Sequence, residues 1–283
     1  MNFSTLVGTD TLAAHLSDER WVIVDCRYDL LDVEAGRRAY SEAHIPGAYF
    51  LQLDTALSGP RAGTNGRHPL PKADALAARL GEIGIATGKQ VVAYDAHGGM
   101  FAARLWWLLR WLGHDTVAVL DGGLTQWIAE GRPLDGETPL RRANTFIAQT
   151  HPTDVSADEI LAALGTSRML LVDARSPDRY RGDNETLDPV GGHIPGARNR
   201  FFKNNLAADG RFKPAAQLRK EWQDLLAITP PENVVHQCGS GVTACHNLLA
   251  MEVAGLPGSR LYPGSWSEWC ANTLRPVARG SEE

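Results

Sequence analysis

The chain says the same thing twice, and that repetition limits what it can fold into. Val22-Ile23-Val24-Asp25-Cys26-Arg27 returns as Leu170-Leu171-Val172-Asp173-Ala174-Arg175, and His44-Ile45-Pro46-Gly47-Ala48 returns as His193-Ile194-Pro195-Gly196-Ala197. Val91-Val92-Ala93-Tyr94-Asp95 matches Val234-Val235-His236-Gln237-Cys238. Asp121-Gly122-Gly123-Leu124-Thr125-Gln126-Trp127 matches Pro263-Gly264-Ser265-Trp266-Ser267-Glu268-Trp269 at its glycine and final tryptophan. Four landmarks in one order imply two similar domains. From about Gly131 to Asp154 the chain is rich in Pro, Gly, Thr and Arg without periodicity. This puts the linker at 138–153, the first domain at 1–137 and the second at 154–283.

Each half alternates short apolar runs with amphipathic segments. Trp21 to Asp25, Met169 to Asp173, Thr116 to Leu120, Ser259 to Tyr262 and the runs at 91 and 234 have strand length and composition. Thr9 to Leu16, Ala73 to Leu80, Val155 to Leu164 and Ala216 to Leu226 have helical patterning. Alternation of this kind predicts an α/β fold in which each domain is a mainly parallel sheet flanked by helices. Ligands in such sheets sit at the carboxyl ends of the strands.

Cys238 falls at such an end. It follows the run Val234 to Gln237, precedes alternating glycines at 239 and 241, and leads into good helix formers. The glycines let successive N–H groups point inward as an anion-binding nest, and the helix behind adds its positive end. A thiol held there is biased towards thiolate, the nucleophilic form. On these residues alone, an inert buried cysteine in a strand-to-helix turn is an equal reading. A phosphatase needs an arginine six residues after the cysteine to clamp phosphoryl oxygens; here that residue is Ala244. In the first half the cysteine position is Asp95, which cannot carry sulfur, so that domain reads as non-catalytic.

Composition excludes other classes. The 283 residues are 43% hydrophobic and 22% charged, with net charge −5 and no Lys/Arg-rich run, which argues against nucleic acid or an anionic membrane as partner. Cysteines at 26, 238, 245 and 270 fit neither a metal-ligand spacing nor a disulfide scaffold, so no metal is expected and a reducing cytoplasm is the expected compartment. The N-terminus has no secretory pattern. The most apolar stretch, Phe101 to Leu112, is too short to span a bilayer and reads as a core helix, with Trp106, Trp107 and Trp111 as packing residues. Cys245 and Cys26 read as packed thiols. Asp25-x-Arg27 and Asp173-x-Arg175 recur in both halves and read as structural ion pairs.

Together, the Tyr40-to-Ala48 stretch, the Cys238 loop and the Tyr262-to-Trp269 ending resemble those of the tandem-domain rhodanese-type sulfurtransferases, over nearly the whole chain. Cys238-Gly239-Ser240-Gly241-Val242-Thr243 is similar to the loop of the 3-mercaptopyruvate sulfurtransferases; thiosulfate-preferring relatives place basic residues after the cysteine. The resemblance implies ping-pong transfer of sulfane sulfur through a Cys238 persulfide, with no organic cofactor. The acceptor it implies is thioredoxin, a small thiol or cyanide. A thiosulfate sulfurtransferase and a non-catalytic persulfide-binding module are the alternatives.

The resemblance also implies roles. Gly239, Gly241, Val242 and Thr243 hold the persulfide and substrate through their N–H groups. Ser240, His68 and Asp54 resemble a hydroxyl-histidine-carboxylate relay, and Arg179 matches the arginine that binds the substrate carboxylate. Many mercaptopyruvate enzymes carry a second arginine nine residues later, where this chain has Asp188; Arg181 and Arg198 are candidates to replace it.

Overall fold

The computed structural model describes residues 2–140 and 143–281. The chain divides into two compact units. The first comprises Met1–Gly59, Pro71–Pro152 and Ala208–Phe212; the second comprises Pro60–Leu70, Thr153–Ala207 and Lys213–Glu283. Segment 60–70, which precedes half of the first domain in sequence, thus belongs to the second unit.

In the first unit the elements are β1 (Leu6–Val7), α1 (Thr9–Ala14), β2 (Trp21–Asp25), α2 (Ala35–Glu42), β3 (Tyr49–Phe50), α3 (Leu53–Ala56), α4 (Ala73–Glu82), β4 (Gln90–Tyr94), α5 (Ala102–Trp111), β5 (Val117–Leu120) and α6 (Gly123–Ala129). The second contains α7 (Ala157–Ala163), β6 (Leu170–Asp173), α8 (Pro177–Arg181), β7 (Arg198–Asn199), α9 (Ala215–Leu226), β8 (Val234–Gln237), α10 (Thr243–Val253), β9 (Arg260–Leu261) and α11 (Ser265–Trp269). The sheets run β1-β5-β4-β2-β3 and β7-β6-β8-β9, with every pairing parallel. Where β1 flanks β5, the second unit has a single parallel bridge between Asp154 and Leu261.

Parallel sheets are covered on both faces, which is why β4 and β8 are buried along their whole length. The register sets Asp25 opposite Tyr94 and Asp173 opposite Gln237, so each repeated aspartate lies beside the residue that precedes Asp95 or Cys238. Both aspartates are fully buried and held by the arginine two residues on, Asp25 by Arg27 at 2.7 Å and Asp173 by Arg175 at 2.6 Å. These pairs recur in the unit whose turn carries Cys238 and in the unit whose turn carries Asp95 instead.

The repeated HIPGA motif has the same structural role twice. His44 stacks on Tyr40 with centroids 4.0 Å apart, and His193 on Tyr180 at 3.8 Å. The tyrosine hydroxyls donate to the carbonyls of Ala48 (2.8 Å) and Ala197 (2.5 Å), closing each motif into a turn. Ile45 and Ala48 enter one core with Val92 and Trp127; Ile194 and Ala197 enter the other with Val235 and Trp269. Each tryptophan is fully buried with its indole N–H on a proline carbonyl, Pro133 or Pro276, at 2.8 Å. Truncating either to alanine would cost about 3–5 kcal/mol. Residues 144, 149 and 151 of the aperiodic stretch donate backbone hydrogen bonds to Gly81, Leu112 and Trp111. Among the described residues no helix is long and apolar enough to cross a membrane.

Candidate active site

β8 ends at Gln237, and the chain turns over residues 238–242 before α10 begins at Thr243. Cys238 opens the turn and is 2% exposed. The N–H of Ser240 donates to its Sγ at 3.5 Å, the inward-pointing geometry expected of an anion-binding nest.

The start of α11 clamps this turn. Cys238 donates its N–H to Ser265 Oγ at 3.1 Å, and that hydroxyl donates to the Tyr262 carbonyl at 2.9 Å. The N–H groups of Trp266 and Ser267 donate to the carbonyls of Cys238 and Gly239, both at 2.9 Å. Ser265 achieves this with φ of 54°, a left-handed backbone that non-glycine residues seldom adopt and that tends to mark functional positions. Gly241 combines φ of 74° with a Pro263 carbonyl only 2.3 Å from where a Cβ would stand, so no side chain fits there.

Ser240 Oγ lies 2.8 Å from Nδ1 of His68, and both residues are buried. This pair comes from segment 60–70 and the Cys238 turn, 172 residues apart in the chain. Val242 is buried as the residue that caps α10, and Thr243 is that helix's first residue. Asp54 lies in the first unit on α3, where its carboxylate accepts the Tyr28 hydroxyl at 2.5 Å.

Charged side chains surround the loop. Arg179, on α8, pairs with Glu185 through Nη2 at 2.8 and 2.9 Å and through Nε at 3.1 and 3.3 Å. Glu185 is held below the ordinary carboxylate range: burial works to raise it, but the bonds from Arg179 and from the N–H groups of Leu187 and Asp188 outweigh burial. Asp188, with a side chain only 3% exposed, is ion-paired to Arg67 and lies 3.4 Å from Arg179. Its carboxyl is pushed above the ordinary range because burial outweighs the attraction of those arginines. Arg181 pairs with Asp183 at 2.8 Å, and Arg198 donates to the Leu225 carbonyl. The guanidinium that joins Arg179 at the loop is that of Arg67: a Cβ on Gly239 would stand 2.7 Å from Arg67 Nη2 and 3.5 Å from Arg179 Nη2.

The other cysteines pack. Cys245 is fully buried on α10 with its thiol donating to the Gly241 carbonyl at 3.3 Å. Burial pushes the Cys26 thiol up, and pushes Cys270 up to about 11.

Sequence reasoning missed Arg67, Glu185 and Ser265. The only local signal for Ser265 was that it stands where the first half has a glycine, Gly123. Arg67 sat next to His68 without a motif of its own, and Glu185 lies in a loop with no periodicity.

The description "Rhodanese-like domain" fits two segments of this chain, residues 9–130 and 156–272. The chain is 47% identical over 283 residues to a Pseudomonas aeruginosa protein named "Probable 3-mercaptopyruvate sulfurtransferase", covering 99% of this chain and 100% of that one. It is 35% identical to the thiosulfate sulfurtransferase of Cricetulus griseus, over 87% of this chain and 84% of that one. Among solved structures, SseA from Escherichia coli, described as a 3-mercaptopyruvate sulfotransferase with the rhodanese fold, matches with a TM-score of 0.80 at 30% identity, covering 93% of this chain and 99% of that chain.

Proposed function

The chain belongs to the rhodanese-like domain family, and from that premise we propose that it is a sulfurtransferase that takes sulfane sulfur from 3-mercaptopyruvate, with Cys238 as its nucleophile. The observation that carries this reading is the Ser240 to His68 contact of 2.8 Å on the turn that begins with Cys238. A hydroxyl and an imidazole in contact can pass a proton between them, and the Arg179 guanidinium in the same unit comes within 3.5 Å of where a Gly239 Cβ would stand, which supports this reading.

In the first half-reaction the Cys238 thiolate attacks the donor's sulfur. The new S–S bond forms as the donor's C–S bond breaks, and the electron pair goes to carbon as the enolate of pyruvate. The proton of the donor's thiol ends on that carbon, with Ser240 and His68 as its carriers. The products are pyruvate and a Cys238 persulfide anion, whose charge the inward N–H groups of the turn would hold. A thiol acceptor then attacks the outer sulfur, leaves as its own persulfide and regenerates the thiolate. Arg179 binds the donor carboxylate in this scheme, and Gly239, Gly241, Val242 and Thr243 supply the turn.

Asp54 is the carboxylate member of the proposed relay. The acceptors in keeping with this chemistry are thioredoxin, a small thiol or cyanide, in a reducing cytoplasm that leaves the thiolate free to cycle.

The test is steady-state turnover with 3-mercaptopyruvate and with thiosulfate against one thiol acceptor, with mass spectrometry of the Cys238 peptide. A mercaptopyruvate preference of tenfold or more in kcat/KM, with one added sulfur on Cys238, is the expected result. A preference for thiosulfate would replace the donor, and absence of an added sulfur would remove the mechanism.

A further inference from the structure

Of the two guanidinium groups that converge on the residue after the nucleophile, only Arg179 lies on the helix beside the loop; Arg67 comes from segment 60–70. Arg67 is well anchored. Its N–H donates to Ser267 Oγ at 3.0 Å, and the preceding Gly66 sits so close to Gly264 that a Cβ would lie 2.7 Å from that residue's carbonyl. The ion pairs with Asp188 and Glu185 engage Arg67 through Nη1 and Arg179 through Nε and Nη2. Arg67 Nη2 stands 2.7 Å, and Arg179 Nη2 and Nη1 stand 3.5 and 3.6 Å, from the position a Gly239 Cβ would take, and no ion pair engages Arg67 Nη2 or Arg179 Nη1 among the contacts above. Both side chains keep some exposure, 24% and 20%, whereas Asp188 and Glu185 are each 3% exposed beneath them.

Two like charges at this spacing repel unless an anion lies between them. Asp188 is that anion, and its burial means the pair meets an incoming ligand with guanidinium edges rather than with the carboxylate. We propose that Arg67 is the second arm of the site that takes the donor's carboxylate, opposite Arg179, and that Asp188 is a positioning residue that holds the two arms side by side. The ligand class is a small monocarboxylate with its reactive atom a few bonds from the carboxylate. The inference rests on the donor reading above for its substrate, while the placement of Arg67 stands apart from it. Gly239 follows as a specificity residue, since any side chain there would meet the Arg67 guanidinium.

Alkylation of Cys238 by iodoacetate and by iodoacetamide, which are similar in size and differ in charge, tests this without any sulfur transfer. Rates are read from the mass of the Cys238 peptide. Arg67→Met is expected to lower the iodoacetate-to-iodoacetamide ratio about tenfold or more, as loss of one charged hydrogen bond implies, while the iodoacetamide rate stays within about twofold. The double variant Arg67→Met with Asp188→Asn removes the ion pair as a neutral unit and leaves no unpaired buried carboxylate to threaten folding. It is expected to keep the ratio low. An unchanged ratio in Arg67→Met, or a parallel fall of both rates, overturns the proposal. So does recovery of the ratio in the double variant, because Arg67 would then do no more than neutralise Asp188. If the unaltered protein proved inactive with mercaptopyruvate, the donor reading would fail while the ratio still reported on Arg67.

Discussion

The Asp95 turn of the first unit and the Cys238 turn of the second are one piece of backbone put to two uses. Each follows a buried parallel strand and leads into a buried helix. In the first, Asp95 turns its carboxylate back into its own nest: Oδ1 accepts from the N–H groups of His97 and Gly99 at 2.7 and 3.0 Å, and Oδ2 from Phe101 and Ala102 at 2.7 and 2.9 Å. Four donors are satisfied by a resident anion. In the second, the corresponding residue is a thiol that receives the Ser240 N–H at 3.5 Å. The carboxylate turn shows that this backbone can satisfy a compact anion, and under the proposed mechanism the persulfide of the thiol turn would be the counterpart of that anion. The clamp differs in the same sense. Leu124 donates to the Asp95 carbonyl at 2.8 Å as Trp266 does to that of Cys238 at 2.9 Å. The left-handed residue before it is Gly123 in one unit, with φ of 57°, and Ser265 in the other, with φ of 54°. Serine carries backbone strain that glycine avoids, and in return its hydroxyl takes the Cys238 N–H.

The strongest way to break this comparison is to exchange the two residues. Cys238→Ser is expected to lower sulfur transfer by at least about 10³-fold, read from pyruvate release, because a serine hydroxyl cannot carry the sulfur. Asp95→Cys is expected to gain no persulfide by mass spectrometry, since its turn has Ala96 and His97 in place of Gly239 and Ser240; an added sulfur at 95 would show that the backbone alone suffices. Asp95→Ala leaves four buried or half-buried N–H groups without their acceptor and is expected to cost about 3 kcal/mol or more of stability in denaturant unfolding. A cost below about 1 kcal/mol would mean the resident anion is dispensable. Ser265→Gly copies the first unit's clamp into the second; kcat/KM is expected to fall about tenfold through loss of one hydrogen bond, with the fold retained. Unchanged turnover would make the strained serine a structural feature only.

The smallest expected effect concerns acid stability. His236 on β8 is fully buried, and burial holds it down at about 3, below its ordinary 6.5. Between those values the unfolded chain binds a proton that the folded chain does not, so stability falls as pH drops through that window and is fully present above 6.5. The first unit has Ala93 at this position. His236→Gln is therefore expected to flatten the decline of Tm between pH 6.5 and 4.5; an unchanged slope would assign the acid sensitivity to other groups.

Much of the fold was legible because its signals are local. Short apolar runs marked β2, β4, β6 and β8, and the glycines after Cys238 marked the turn. Helices α4 and α9 begin within one residue of the patterned segments at 73 and 216. Short elements such as α3 and β3 carry too few residues for a period to show. The HIPGA motif was visible as a motif, while its role emerged from the tyrosine that each histidine stacks on. Asp188, read alone, looked like an anion in a cation's place. With Arg67 beside it, it becomes the buried member of a half-buried ion pair formed across 121 residues of chain.

The sequence by itself determined that there are two units of one α/β type and that only one of them has a thiol at the end of its central strand. These follow from repetition and from hydrophobic period, which any stretch of chain displays without reference to the rest. Tertiary structure alone decided that Arg67 stands at the loop of that thiol and that the Ser265 hydroxyl takes its N–H, whereas the resemblance had already implied Arg179 and the pairing of His68 with Ser240. Those contacts depend on where segment 60–70 and the start of α11 come to rest, and side-chain encounters between distant segments leave no spacing in the chain from which they could be read.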